Sequence, residues 1–514
     1  MSYRSWFLFS SALVLAAAGC MAGCGSDDDS TSAGAGAAGK ASGGGAGLVS
    51  GGGGGANDQA GTANSDDGGT NAAAGEAGAD DGGAGGERTV TPFLTLDGNQ
   101  PLVIGHRGLP GLHPEETEVS YTAAAEAGAD SLEEDLHLSK DCVLVARHNP
   151  WLSDNTNITA VAKGTDATAT TINARKRTKA GEMINVTYDP TNVGGLTAYL
   201  SDANDPLHEL VVDGEDHTGD WSISDFTADE LKMWLGGTTY DSKDQRPTAE
   251  NGKYPILTMQ EIFDLQKAQM KSTGRVISVY PEAKNPYWNN EQAKANGCGS
   301  GDHPFEDAIV ALIEKNDMNT ADSPIFVQSF DPESLIYMRS IGLKTKVVQL
   351  IDAVYMDFKT GKMTYWEGDQ YDFIDGRPYS WTVSGKIDTF GDMIEPAGLD
   401  TIKKYADGIG PWKPQVLAWT VKPYPTTIPT GGGLGYNDVN TETSTGLVAS
   451  AHSKGLFVHV YTFRNEAHWL PGNYGGDPVQ EYVQFFREGV DGVFSDFSNT
   501  AFAARQQYLL ETGH

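Results

Sequence analysis

The stretch that decides the fold runs from Val103 to Thr156: VIGHRGLPGLHPEETEVSYTAAAEAGADSLEEDLHLSKDCVLVARHNPWLSDNT. Three short apolar runs each end in groups that can do chemistry. His106 follows VIG, Glu133 and Asp135 follow ADSL, and His148 follows VLVAR. Side chains alternate along a strand with period two. Leu132, Glu134, Leu136 and Leu138 therefore share one face, under helices, and Glu133, Asp135 and His137 share the other. Two inward carboxylates are costly unless they are paired or bound to a cation. Hard oxygen ligands suit Ca²⁺ or Mg²⁺. A histidine titrates near neutrality and can serve as acid or base. Such a pair beside a hard-metal site suits cleavage of a phosphoester.

Working outward, the same alternation of apolar run and amphipathic segment continues to the C-terminus. The runs are LVIG (102–105), DSLEEDL (130–136), VLVAR (143–147), VISVYP (276–281), IFVQSF (325–330), KVVQLI (346–351), ADGIG (406–410), LFVHVYTF (456–463) and VDGVFSDF (490–497). Mostly unbroken apolar strands separated by helices predict a parallel sheet covered on both faces. With VLVAR as a return strand, eight βα units are left, which predicts a (β/α)8 TIM barrel with its chemistry at the C-terminal strand ends. Residues 157–250 break the rhythm with Thr, Asp, Asn and Gly, and are expected to form an insertion after the second strand region. Residues 412–450 are expected to form a second long loop over the same face.

The late strand ends supply further candidates. Glu282 lies just past VISVYP and is the expected third metal ligand. Lys284, two residues on, should point the same way and offer a cation to phosphate. Arg107 directly follows His106 after the first strand. Gln328, Tyr461 and Arg464 are candidates for the substrate pocket.

The N-terminus carries a different kind of information. Arg4 followed by WFLFSSALVLAAA is an export signal too short to span a bilayer. The small residues before Cys20 and Cys24 resemble a bacterial lipobox, so residues 1–24 are expected to be a lipoprotein-type signal with lipidation at either cysteine. Residues 25–92 contain 22 glycines in 68 residues and no aromatic side chain, so they build no core and read as a disordered tether. A periplasmic or surface protein, touching the membrane only through its anchor, is expected. Cys142 and Cys298 remain for the folded part, either bonded or as two free thiols. The net charge of −33 repels phosphate backbones and argues against nucleic-acid binding.

The series HRG, PEET, GADSLEEDLHLSKD, VARHN, YPEAKNP, FVQSFDPESL, YADGIGP, VHVYTFRNE and DGVFSDF resembles the glycerophosphodiester phosphodiesterase family, most like its long periplasmic or lipoprotein branch. The resemblance implies a divalent metal, Ca²⁺ in that branch, held by Glu133, Asp135 and Glu282, with Mg²⁺ as the other candidate. It implies His106 and His148 as the acid–base pair, with Arg107 and Lys284 on the phosphate. The implied reaction releases sn-glycerol 3-phosphate and an alcohol, either through attack by the glycerol 2-hydroxyl or directly by water. A polyglycerophosphate or lysophospholipid substrate, or a surface-displayed binding protein on the same barrel, are the alternative expectations. Three positions depart from the family pattern. His148-Asn149 stands for His-Asp, Pro114-Glu115-Glu116-Thr117 for a motif with Asn or His third, and His137 for a small apolar residue. His137 is expected to be buried with one hydrogen bond.

Overall fold

The structure is a computed structural model, and it describes residues 93–179, 183–185, 198–200, 209–239, 246–353, 355–365, 373–421 and 434–514. The signal and tether expected over 1–92 lie outside these residues. The principal strands are β1 (Leu102–Gly105), β2 (Ser131–Leu138), β3 (Leu144–Ala146), β4 (Ser278–Ala283), β5 (Phe326–Ser329), β6 (Lys346–Ile351), β7 (Gly408–Pro411), β8 (Phe457–Phe463) and β9 (Gly492–Ser495). They hydrogen-bond in the order β1-β9-β8-β7-β6-β5-β4-β2-β3, and β1 also pairs with β2. That last pairing closes eight strands into a parallel barrel, with β3 returning antiparallel on β2. The fold is the expected TIM barrel.

The helices between the strands follow local sequence signals. Helix α1 (Glu118–Glu126) starts on Thr117, whose hydroxyl accepts the Ser120 amide. Helix α2 (Met259–Thr273) starts on a Thr258–Glu261 capping box and ends on Gly274 in the left-handed region. Proline occupies the first turn of α3 (Pro286–Ala295), α4 (Pro304–Lys315), α5 (Pro332–Ser340) and α6 (Pro478–Glu488), where its missing amide costs no hydrogen bond. Helix α7 (Ser498–Thr512) closes the ring.

Strand alternation builds two separate cores. Leu132, Leu136, Val279, Ala283, Val327 and Ile409 point outward into the layer between barrel and helices. Ile104, Tyr280, Phe326, Val348 and Phe494 fill the barrel interior, where the Tyr280 hydroxyl meets His459 Nδ1 at 2.9 Å. On β4 the inward set continues from Tyr280 to Glu282, so the apolar floor gives way to carboxylates one layer up. Sequence placed Glu282 just beyond its strand. Instead the pairing with β2 runs from Ser131↔Ser278 to Leu136↔Ala283 and carries the strand through Pro281.

Between β3 and α2 the chain leaves the barrel and builds a small core of its own from Leu152, Ile158, Ile172, Leu210, Trp221, Phe226 and Leu231. Val145 on β3 and Trp288 on α3 join that cluster, so the segment packs on the barrel through residues that flank the site. Cys142, in the β2–β3 turn, is bonded to Cys298 beyond α3, with Cα atoms 5.3 Å apart. Of the two states left open by sequence, the structure has the disulfide.

Candidate active site

Four strand ends and the return strand converge on one small volume. The first contribution is the turn after β1. Gly108 there has φ +93°, and a Cβ on it would come within 2.5 Å of Ser120 Oγ at the start of α1. Ser120 replaces that bulk with bonds: its hydroxyl donates to the Arg107 carbonyl and accepts the Leu109 amide. The tight turn holds Arg107 at φ +55° and points its backbone amide at Glu133 Oε2, 2.8 Å away.

Glu133, Asp135 and Glu282 each aim a carboxylate oxygen into the barrel mouth, and these atoms lie within 4.8 Å of one another. The register explains the convergence, since Asp135 sits opposite Glu282 and Glu282 opposite Gln328. All three acids are buried. Burial and the neighbouring Asp135 charge push Glu133 well above the ordinary carboxylate range. Burial raises Glu282 to about 8 despite Lys284. Burial acts the same way on Asp135, but Arg107 and Lys284 outweigh it and hold the group below its ordinary value. Three hard oxygen donors at this separation, two of them too crowded to ionise easily alone, fit a divalent cation.

Cations ring the cluster. Arg107 Nε lies 2.9 Å from Asp135 and its Nη1 3.2 Å from Glu115. Lys284 Nζ lies 3.5 Å from Glu282 and 4.0 Å from Asp135. The same ammonium is 3.2 Å from His148 Nε2, so the second histidine reaches the cluster through Lys284. Burial, then Arg107 and Lys284, hold His148 well below its usual pKa. Gln328 donates to Glu133 at 3.2 Å. Tyr461 binds at the end of β6, and Arg464 pairs with the aspartate that meets His106. The Tyr461 hydroxyl donates to the Ile351 carbonyl at the end of β6, and Arg464 lies 3.3 Å from Asp496.

Behind the first histidine stands a group the sequence reading passed over. His106 Nδ1 meets Asp496 Oδ1 at 2.6 Å, immediately after β9. Asp496 Oδ2 accepts from Arg246 at 2.7 Å, and Arg246 Nε binds Glu466 at 2.7 Å. Burial works against the Asp496 anion, but Arg246 and His106 hold it well below the carboxylate range. His106 is itself lowered, by burial first and then by Arg107. The available signal was the position of Asp496 directly after an apolar strand run. Arg246 carried none, because it arrives from the insertion.

The three departures from the family pattern each resolve into geometry. Glu116 accepts the Asp135 amide at 2.8 Å and donates its own amide to the Arg107 carbonyl, so it braces β2 against the turn after β1. Burial pushes it well above the carboxylate range. Asn149 turns its side-chain amide to Asp154, whose Oδ2 accepts it at 3.0 Å. His137 makes two hydrogen bonds, not the one expected. Asn289 donates to its Nδ1 at 2.9 Å, and its Nε2 faces the His148 carbonyl at 3.3 Å. The return strand was legible, but its register, which sets His137 opposite Val145 and brings the His148 carbonyl within reach, was not.

The chain's sequence matches the model of the glycerophosphoryl diester phosphodiesterase family over residues 106–500. The chain belongs to this family. A glycerophosphodiester phosphodiesterase of Arabidopsis thaliana is 31% identical over 414 residues, covering 79% of this chain and 86% of that protein. One from Haemophilus influenzae is 24% identical, covering 78% of this chain and 88% of its own length. Among solved structures, a phosphodiesterase of Oleispira antarctica in complex with the product sn-glycerol-3-phosphate is similar with a TM-score of 0.43 and 15% identity, covering 80% of this chain and 99% of that one. The family match takes in all ten candidate residues from sequence and begins on the first of them, His106.

Proposed function

We propose that this site hydrolyses glycerophosphodiesters to sn-glycerol 3-phosphate and an alcohol. The observation that carries the proposal is the convergence of Glu133, Asp135 and Glu282 with two neutral histidines and two cations in one barrel mouth. Glu133, Asp135 and Glu282 are the groups that would hold a divalent cation, Ca²⁺ first and Mg²⁺ second. When bound, such an ion supplies positive charge to phosphoryl oxygens. Arg107 and Lys284 orient the same phosphoryl group from the protein side.

Proton transfer falls to the histidines. With Asp496 at its Nδ1, His106 keeps that proton and leaves Nε2 as the acceptor toward the mouth. Its lowered pKa keeps it neutral, as a base must be. His148 Nε2 faces the Lys284 ammonium, so it can take a proton from that group and pass it to the leaving alcohol, leaving Lys284 to regain its proton from solvent. The nucleophile is either the glycerol 2-hydroxyl or water.

The disulfide supports the proposal of an exported enzyme, because such bonds persist in oxidising compartments. Anchoring through Cys20 or Cys24, with the substrate met in the periplasm or at the cell surface, belongs to the same proposal. The test is release of glycerol 3-phosphate from glycerophosphocholine by purified protein with Ca²⁺, with Mg²⁺ and with a chelator. Ion-dependent release, lost in His106→Ala, is the expected result. No release under any condition, or equal release by His106→Ala, rejects the proposal.

A further inference from the structure

The first insertion sends a guanidinium into the wall of the active site. Arg246 comes from the chain between β3 and α2, which otherwise packs around a small core of its own. Its side chain is 2% exposed and ends between two carboxylates. Nη2 donates to Asp496 Oδ2 at 2.7 Å, just past β9, and Nε donates to Glu466 Oε1 at 2.7 Å, in the loop after β8. The Phe497 ring centroid lies 5.6 Å from its Cζ. The backbone around Arg246 is pinned as well. The Pro247 carbonyl accepts the Thr239 hydroxyl at 2.7 Å, and Asn251 Oδ1 accepts the Thr239 amide at 3.0 Å. Glu250 meets His113 Nδ1, in the loop between β1 and α1, at 2.8 Å. The segment that carries Arg246 is thus tied to the loops after β1, β8 and β9.

Asp496 is where this segment touches the chemistry. Its Oδ1 faces His106 Nδ1 at 2.6 Å and its Oδ2 accepts from Arg246, so its two oxygens are divided between the base and the insertion. A buried carboxylate needs a partner for its charge. Arg246 supplies that charge on the oxygen His106 does not use, and the contact stops the carboxylate from turning about its last bond. A fixed Oδ1 in turn fixes the His106 ring and the tautomer that leaves Nε2 free to accept a proton. Arg464 approaches the same Oδ2 at 3.3 Å, but its side chain is 21% exposed and its charge is correspondingly more screened. A lysine at 246 would carry the charge without the fork, because an ammonium is a point donor and lacks the flat edge that meets two carboxylates together.

We propose that Arg246 is a positioning residue for catalysis, holding the Asp496 carboxylate so that it presents His106 to the substrate, and that the first insertion is thereby a working part of the active site. This role rests on the phosphodiesterase reading of the site, with His106 as base. Arg246 should act on the chemical step and leave substrate and ion binding alone, since its printed contacts are to Asp496, Glu466 and Phe497 and not to the carboxylate cluster.

The experiment measures kcat and KM for glycerophosphocholine with Ca²⁺, and Ca²⁺ affinity by calorimetry, on the full chain. The variants are Arg246→Ala, Arg246→Lys, Asp496→Asn and the Arg246→Ala, Asp496→Asn pair. Arg246→Ala is expected to lower kcat about 10- to 100-fold, the range typical when a group that orients a site histidine is removed. KM and Ca²⁺ affinity should stay near those of the unmodified chain. Arg246→Lys should recover part of the lost rate, and so should millimolar guanidinium added to Arg246→Ala. In the Asp496→Asn background Arg246→Ala should cost little more, because residues that act through one another are not additive. Equal losses in both backgrounds, a loss in KM or Ca²⁺ affinity in place of kcat, or an unchanged rate in Arg246→Ala each overturn the proposal. If Arg246→Ala does not fold, Glu466→Gln tests the same point by loosening the other arm of the guanidinium. A kcat loss that disappears in the Asp496→Asn background supports the proposal, and an additive loss overturns it. No turnover by the unmodified chain sinks the phosphodiesterase reading instead.

Discussion

At the residue scale the unusual feature is how indirectly His148 reaches a carboxylate. Its sequence neighbour is Asn149, which donates to Asp154 at 3.0 Å, and its link to the carboxylate cluster runs through Lys284. Placing the charge directly, as Asn149→Asp, should raise the His148 pKa, since a nearby carboxylate favours the imidazolium. The limb of the pH–rate profile that reports His148 is expected to move to higher pH by about one unit, and a profile measured from pH 5 to 10 checks it. His137 offers a second prediction. It receives the Asn289 amide in a fully buried setting, and the same amide nitrogen serves the Lys284 carbonyl at 2.7 Å. His137→Leu removes the acceptor and frees the His148 carbonyl. A loss of about 1–3 kcal/mol of stability is expected, the usual range for stranding a buried polar group. A rise in KM should accompany it, because the Lys284–His148 pair loses a shared tether. Urea denaturation and steady-state kinetics on the same preparation check both parts.

At the scale of elements, the β2–β3 hairpin and the β4–α3 unit together carry Glu133, Asp135, His148, Glu282 and Lys284. The Cys142–Cys298 bond joins these two units across 156 residues of sequence. Between those cysteines lies the whole first insertion, so the closed loop is long and the unfolded chain is strongly restricted by it. Replacing both cysteines by serine is expected to cost about 2–4 kcal/mol. Ca²⁺ affinity measured by calorimetry should fall as well, because ligands from the two units are then less firmly held together. Unchanged affinity alongside lowered stability would confine the bond to a purely global role.

At the scale of the whole molecule, buried acids make stability depend on pH in an unusual direction. Glu306 on α4 is 1% exposed, and burial raises it to about 7 although Asn290 donates to it at 2.8 Å. His303 lies 3.9 Å away, and Asp331 acts from the α5 side. The folded state therefore holds a proton that the unfolded chain, with an ordinary glutamate, gives up earlier. This contribution is fully present below about pH 4.5 and is lost as pH rises toward 7. A tenfold difference in proton affinity is worth about 1.4 kcal/mol, so the contribution is of the order of 3 kcal/mol. Glu306→Gln should keep the Asn290 bond and narrow the difference in unfolding free energy between pH 5 and pH 8. An unaltered difference would show that Glu306 ionises normally in the folded protein.

Sequence alone determined the barrel and most of its mouth. Apolar runs of regular spacing can only be satisfied by a sheet covered on both faces, and period-two alternation dictates that Glu133 and Asp135 point together. His106 and Lys284 were legible for the same reason, as groups set directly after strands. What only the tertiary structure decided is what stands behind these groups. Asp496 reaches His106 across 390 residues, and Arg246 reaches Asp496 from an insertion with no strand pattern. Asn289 meets His137 across 152 residues, and Lys284 meets His148 across 136. Local propensity and periodicity extend over one element at a time. Contacts of this kind exist only once barrel closure has fixed the distances between elements.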